Sequence, residues 1–347
     1  MMNTMVGSMR ATPDTDPLRA PFQYFGGKRD VADEVWRRFG KVKQYGEPFC
    51  GSCAVLLAAP VSASLEVIGD MNGFIANFWR CVANQPAAVA RWADYPVSHI
   101  DIGARHVWLM QQRDRLGAEL QDPNWPGDAQ VAGWWLYGQC AWIGSGWCDW
   151  SKGPPHVSDA GMGIQAIGQI PHVSDAGMGI QAIGQIPHVS DAGRGVQAYG
   201  KIPHVSDAGV FLTSAGRTAH DWLCRIRDRL ERCRVIHGDW TRCLNHHYGG
   251  EDTAYFFDPP YDNYEGLYRA GPVAQAVAEW CRAHAELKIA LCGHRGDYEM
   301  SGWTPYEWSR KRNTYSGTGT KDAEVIWFSP ACLSAEAYAP AQLSLLA

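Results

Sequence analysis

The stretch best suited to chemistry is Asp258-Pro259-Pro260-Tyr261. It follows a compact apolar run over 254–257, which predicts a short buried strand. Two prolines end that strand, because proline lacks a backbone N–H and fixes φ. A carboxylate then stands on one side of the break and an aromatic ring on the other. In an open α/β sheet, ligands sit beyond the carboxyl ends of the strands. At such a place the carboxylate and a proline carbonyl can accept hydrogen bonds from an exocyclic NH2, while the ring stacks on the base that carries it. The expectation is a planar, amino-bearing substrate. The plainer alternative is a strand followed by a Pro-Pro turn with a surface tyrosine.

Three other segments could serve the same site. In Tyr24-Phe25-Gly26-Gly27-Lys28 the paired glycines let the backbone approach a ligand closely, with an aromatic ring before them and a lysine after. The segment 43–57 predicts a strand, a turn at Pro48-Phe49-Cys50-Gly51 and a helix from Ala54, the geometry that admits a nucleotide-like cofactor. Only Gly51 of a G-x-G-x-x-G pattern is present, so a cofactor without phosphates fits better than a pyrophosphate. A second strand over 65–70 ends in Asp70, about 20 residues after Gly51, where such sheets bind ribose hydroxyls. Asn72 then opens a helix over 74–82. Further on, a strand over 234–240 ends in Asp239 and Trp240. Cys50 and Cys53 have zinc-like spacing but no second pair, and read as a coincidence of a glycine turn.

These elements alternate as strand and helix, which predicts an α/β sheet. Helices are expected over 29–39, 219–233 and 274–285, and further strands over 287–292 and 324–328. The arginines of 219–233 alternate with acids, so much of that run reads as a solvated, salt-bridged face. The rhythm breaks between 96 and 216, where helices are expected over 100–120 and 128–142, the second rich in tryptophan. A sixteen-residue unit then repeats: 155–170 recurs letter for letter at 171–186, again with four changes at 187–202, and dissolves after 209. Its glycines and Asp-Ala-Gly turns exclude a long helix.

A chain of 347 residues is long enough to bury about three quarters of its unfolded surface. Lys+Arg at 31 against Asp+Glu at 36 gives a net charge of −5, which excludes a uniformly basic nucleic-acid coat, so a polyanion must meet a local patch. Eleven cysteines without framework spacing, no secretory signal and no membrane-spanning apolar run point to a cytoplasmic protein with free thiols. The polar residues 1–20 read as a disordered leader.

Taken in order, the segments resemble the Dam-like, alpha-type DNA adenine methyltransferases. The order is aromatic-Gly-Gly-Lys, Glu-Pro-Phe-x-Gly, Asp-x-Asn, an insertion, Gly-Asp-aromatic, then DPPY. The resemblance covers 21–95 and 217–330. It implies a Rossmann-like S-adenosylmethionine-dependent methyltransferase sheet, mostly parallel with an antiparallel strand near the C-terminus. It also implies a catalytic domain of 21–95 and 217–347, with 96–216 as an inserted target-recognition region. By resemblance, Tyr24, Gly27 and Lys28 line the cofactor pocket. Pro48, Phe49 and Gly51 turn beneath the methionine portion, Asp70 and Asn72 meet the ribose, and Asp239 and Trp240 meet the cofactor's adenine. Asp258 and the Pro259 carbonyl grip the target amino group, with Pro260 stiffening the turn and Tyr261 stacking on the base. Asp258 also borders the cofactor, and no metal is required. Cys53 departs from the pattern, where relatives often carry glycine.

The implied reaction is site-specific N6 methylation of adenine flipped out of duplex DNA. The implied place is the cytoplasm, at the nucleoid when bound. A homodimer and a cognate restriction enzyme are the partners left open. Methylation of cytosine N4 or of RNA, and an inactive DNA-binding relative, are the competing readings.

Overall fold

In the computed structural model, residues 18–22, 27–95, 98–141, 147–150, 218–244, 250–264, 267–308 and 324–334 are described, with backbone alone for 261–264 and 267–270. Tyr24 and the repeats of 155–209 lie outside them. The strands are β1 (Gln44–Glu47), β2 (Leu65–Asp70), β3 (Cys233–His237), β4 (Thr253–Phe257), β5 (Tyr261–Tyr264), β6 (Leu267–Ala270), β7 (Lys288–His294), β8 (Thr304–Trp308) and β9 (Glu324–Phe328). The helices are α1 (Arg29–Phe39), α2 (Ala54–Leu57), α3 (Gly73–Asn84), α4 (Pro86–Ala93), α5 (His99–Glu119), α6 (Ala129–Ala141), α7 (Ala219–Arg229) and α8 (Pro272–Ala283).

Seven strands form one sheet in the order β3-β2-β1-β4-β7-β9-β8. The first five are parallel, and β9 lies antiparallel between β7 and β8. This is the expected mixed sheet of a methyltransferase fold. Strand β1 is buried throughout and touches β2 on one side and β4 on the other. The strand order therefore reverses at β1, and a sheet of this kind takes its ligand beyond the carboxyl ends of β1 and β4. Strands β5 and β6 form a separate antiparallel hairpin directly after the two prolines.

Side chains alternate across the sheet. Ala254, Phe256, Ala290, Cys292, Ile326 and Phe328 face a core shared with α1 to α7. Tyr255, Phe257, Ile289, Leu291, Val325 and Trp327 face a smaller core closed by α8. Helix α1 buries Val31, Ala32, Val35, Trp36 and Phe39 on one stripe and stops at Gly40, where φ is +61°. Helices α5 and α6 pack on α3 and α4 within the first core. Asn77 fixes the start of α6 by a reciprocal pair of bonds with the Asp128 backbone, at 2.8 and 3.0 Å.

Two expectations need correction. The strand 234–240 stops at His237, because Gly238 takes φ +121° and Asp239 caps a 3-10 turn over Trp240–Cys243. The arginine run is not solvated throughout. Arg229, at the end of α7, makes two bonds to the buried Glu66 carboxylate, at 2.5 and 2.9 Å, and a third to the Leu56 carbonyl at 2.9 Å. Strand β8 had no counterpart in the sequence reading.

Candidate active site

The site is assembled from loops at the carboxyl ends of adjacent strands. After β1, Pro48 is buried and Phe49 packs at the edge of the smaller core. Gly51 takes φ +44°, and its carbonyl accepts the indole N–H of buried Trp79 at 2.8 Å. Cys53 is also left-handed, at φ +52°. A glycine holds that conformation without strain, which is the physical reason a glycine suits this place. The Cys50 and Cys53 thiols are buried, and burial pushes the first up to about 11. All eleven cysteines are free.

At the end of β2 the Asp70 carboxylate ties two loops together. One oxygen accepts the Gly51 N–H at 3.1 Å, and the other accepts the Asn72 N–H at 2.9 Å. Burial pushes its pKa up to about 6 against those two backbone donors. Asn72, not Asp70, caps α3: its Oδ1 accepts the Phe74 N–H at 2.9 Å. The exposed Asp239 accepts from the Thr241 N–H at 2.9 Å and from its hydroxyl. The preceding Gly238 N–H reaches the Asp70 carbonyl at 3.1 Å, so the ends of β2 and β3 are joined. Trp240 meets Phe257 edge-on at 6.1 Å and shares the smaller core with Phe49.

At the end of β4, Asp258 is half-buried, Pro259 buried and Pro260 exposed. Lys28, with its side chain 3% exposed, donates to Asp258 Oδ1 at 2.9 Å. The same ammonium lies 3.3 Å from Glu324 Oε2 at the start of β9. Burial alone would lower the pKa of Lys28. Asp258, the Cys292 thiol and Glu324 more than offset it, so Lys28 sits above its ordinary range. Gly27 leads into this lysine and is half-buried. Tyr261 starts β5, opposite Ala270.

The structure thus joins Lys28 to Asp258, Gly51 to Asp70 and Asn72, and Phe49 to Trp240. Two residues of the site were given no role by the sequence reading. Glu324 is one; its only sequence signal was an acid opening a strand. Glu47 is the other. It is buried at the end of β1, where its Oε2 accepts the Tyr45 hydroxyl at 2.8 Å and the Leu56 N–H at 3.1 Å. Burial pushes its pKa up to about 8, which favours the neutral carboxyl.

The donors and acceptors suit a nucleoside. Each Asp70 oxygen has one backbone donor and retains a lone pair for a hydroxyl. The nearby basic group, Lys28, already faces two carboxylates, and a pyrophosphate would find acids at Asp70 and Asp239. Among the described residues, no group of three or more His, Cys, Asp or Glu is placed to hold a metal ion, and no helix is long and apolar enough to cross a membrane.

Residues 24–97 match the family model of the D12 class N6 adenine-specific DNA methyltransferases. No curated protein matches the chain significantly. The matched segment carries Lys28, the Pro48–Gly51 turn and Asp70, so over this stretch the chain is similar to the DNA adenine-N6 methyltransferases of the D12 class.

Proposed function

We propose that the chain takes its methyl group from S-adenosylmethionine and delivers it to N6 of an adenine flipped out of duplex DNA. The observation that carries this reading is the buried Lys28–Asp258 pair at the carboxyl end of β4, beside the turn that Asp70 holds. When bound, S-adenosylmethionine supplies a methyl group on a sulfonium, a ready electrophile. The protein's part is then position and electrostatics.

Pro48, Phe49 and Gly51 form the floor under the methionine portion, with Tyr24 and Gly27 on its border. Asp70 accepts from the ribose hydroxyls, and Asn72 holds the loop beside it. Asp239 accepts from the cofactor's adenine amino group, with Trp240 against its ring. Asp258 and the Pro259 carbonyl accept the two N–H groups of the target amine. That pairing draws the nitrogen lone pair out of conjugation and aims it at the methyl group. The proton that N6 releases is accepted at Asp258. Lys28 donates to Oδ1 of that carboxylate and holds it in place. Pro260 stiffens the turn and Tyr261 stacks on the flipped base, recovering part of the few kcal/mol that unstacking costs. An enzyme of this kind works where the DNA is, in the cytoplasm at the nucleoid. Region 96–216 supplies target recognition.

The test pairs Asp258→Ala with Asp70→Asn. Asp258→Ala should abolish methyl transfer while DNA binding persists, and Asp70→Asn should weaken cofactor binding measured by calorimetry. Full activity in Asp258→Ala would overturn the mechanism.

A further inference from the structure

We propose that Glu324 is a positioning residue for methyl transfer. It draws part of the Lys28 charge away from Asp258, so that Asp258 stays a strong hydrogen-bond acceptor for the target amine. The inference rests on the role given to Asp258 above.

Three observations carry it. Lys28 is 3% exposed and contacts two carboxylates, Asp258 at 2.9 Å and Glu324 at 3.3 Å, so one buried ammonium is shared by two acids. Glu324 Oε2 is buried and meets the Lys28 ammonium at 3.3 Å, with no further hydrogen bond among the described residues. Burying a carboxylate oxygen on one shared ammonium is costly, and an apolar side chain would serve packing alone. Glu324 also opens β9 in register with His294, the last residue of β7, so β9 delivers it to the same end of the sheet as Asp258.

A buried ammonium bonded to one carboxylate alone would bind it tightly and weaken it as an acceptor for anything else. A second carboxylate on the same ammonium counters this. The other groups facing the pair do not supply that charge at neutral pH. Burial pushes Glu47 up to about 8 and raises the Cys292 thiol and the Tyr298 hydroxyl as well, each toward its neutral form. Among the described residues, His294, 3.6 Å from the Asp297 carboxylate, stands opposite Glu324 in the β7–β9 register.

The experiment measures methyl transfer to DNA by Glu324→Gln, Glu324→Asp and Asp258→Ala, each from pH 5 to 9 with saturating S-adenosylmethionine. Glu324→Gln keeps the shape and removes the charge. Its kcat should fall about tenfold with KM for DNA within about twofold. The acidic limb of its kcat/KM profile should move down by about one pH unit, because Asp258 then faces Lys28 alone. Glu324→Asp keeps the charge and should keep the wild-type limb. A Glu324→Gln enzyme with wild-type kcat and an unmoved limb would overturn the proposal, as would a Glu324→Asp profile that matches Glu324→Gln. Activity in Asp258→Ala would instead overturn the underlying role of Asp258.

Discussion

Replacing Lys28 by methionine removes the ammonium that contacts both Asp258 and Glu324. The stem is conserved in volume, so the perturbation is electrostatic. At 2.9 and 3.3 Å, each contact contributes about 5–6 kcal/mol of gross attraction at an effective dielectric of about 20. Burying the ammonium opposes this by several kcal/mol. Breaking a buried pair by removing one partner costs about 3–5 kcal/mol, since the remaining charges stay buried and uncompensated. That is the expected loss at pH 7.5, read by urea unfolding. The loss should shrink below pH 5, where the abandoned carboxylates take up protons. The acidic limb of methyl transfer should move up by about 1–3 pH units, because an ammonium no longer favours the ionised form of Asp258. The two readouts are linked: an unfolding midpoint equal to wild type at both pH values, together with an unmoved acidic limb, would refute the reasoning.

Three further outcomes follow from the same geometry. Asp70, pushed up to about 6, should make S-adenosylmethionine binding weaken as pH falls through 6, approaching tenfold per unit below it, and Asp70→Asn should flatten that dependence in calorimetry. Glu47 rises from 4.5 to about 8 on folding, so the stability it contributes is present below 4.5 and is lost as pH rises through 8. Glu47→Gln should therefore raise the melting temperature most at pH 8–9, and a gain confined to pH 5 would contradict that sign. Arg229→Met should cost about 3–5 kcal/mol, because it strands the buried Glu66 carboxylate. A loss under 1 kcal/mol in urea would show the pair to be dispensable.

Much of the framework was legible because its signals are local. Strand β4 and its stop follow from an apolar run and two prolines, and α1 from a single apolar stripe. The glycine turn, Asp70 and DPPY lie at strand ends, where a sheet of this kind places its ligands. Strand β8 was not legible, because it carries Pro305 and leaves most of its residues exposed at the sheet edge. Helix α6 is apolar around its circumference, so its tryptophans could not be sorted into faces before α3, α4 and α5 were seen around it. Arg229 looked solvated beside Asp228 and Glu231, and only the fold brings Glu66 to it from β2. The Lys28–Glu324 contact joins the two ends of the sheet-forming chain, a pairing no local pattern announces.

The central claim is tested most directly by incubating the protein with methyl-labelled S-adenosylmethionine and unmethylated duplex DNA, then digesting the DNA to nucleosides. The account predicts label in N6-methyladenine alone, and none with Asp258→Ala. Label in N4-methylcytosine, or equal labelling by Asp258→Ala, would contradict it.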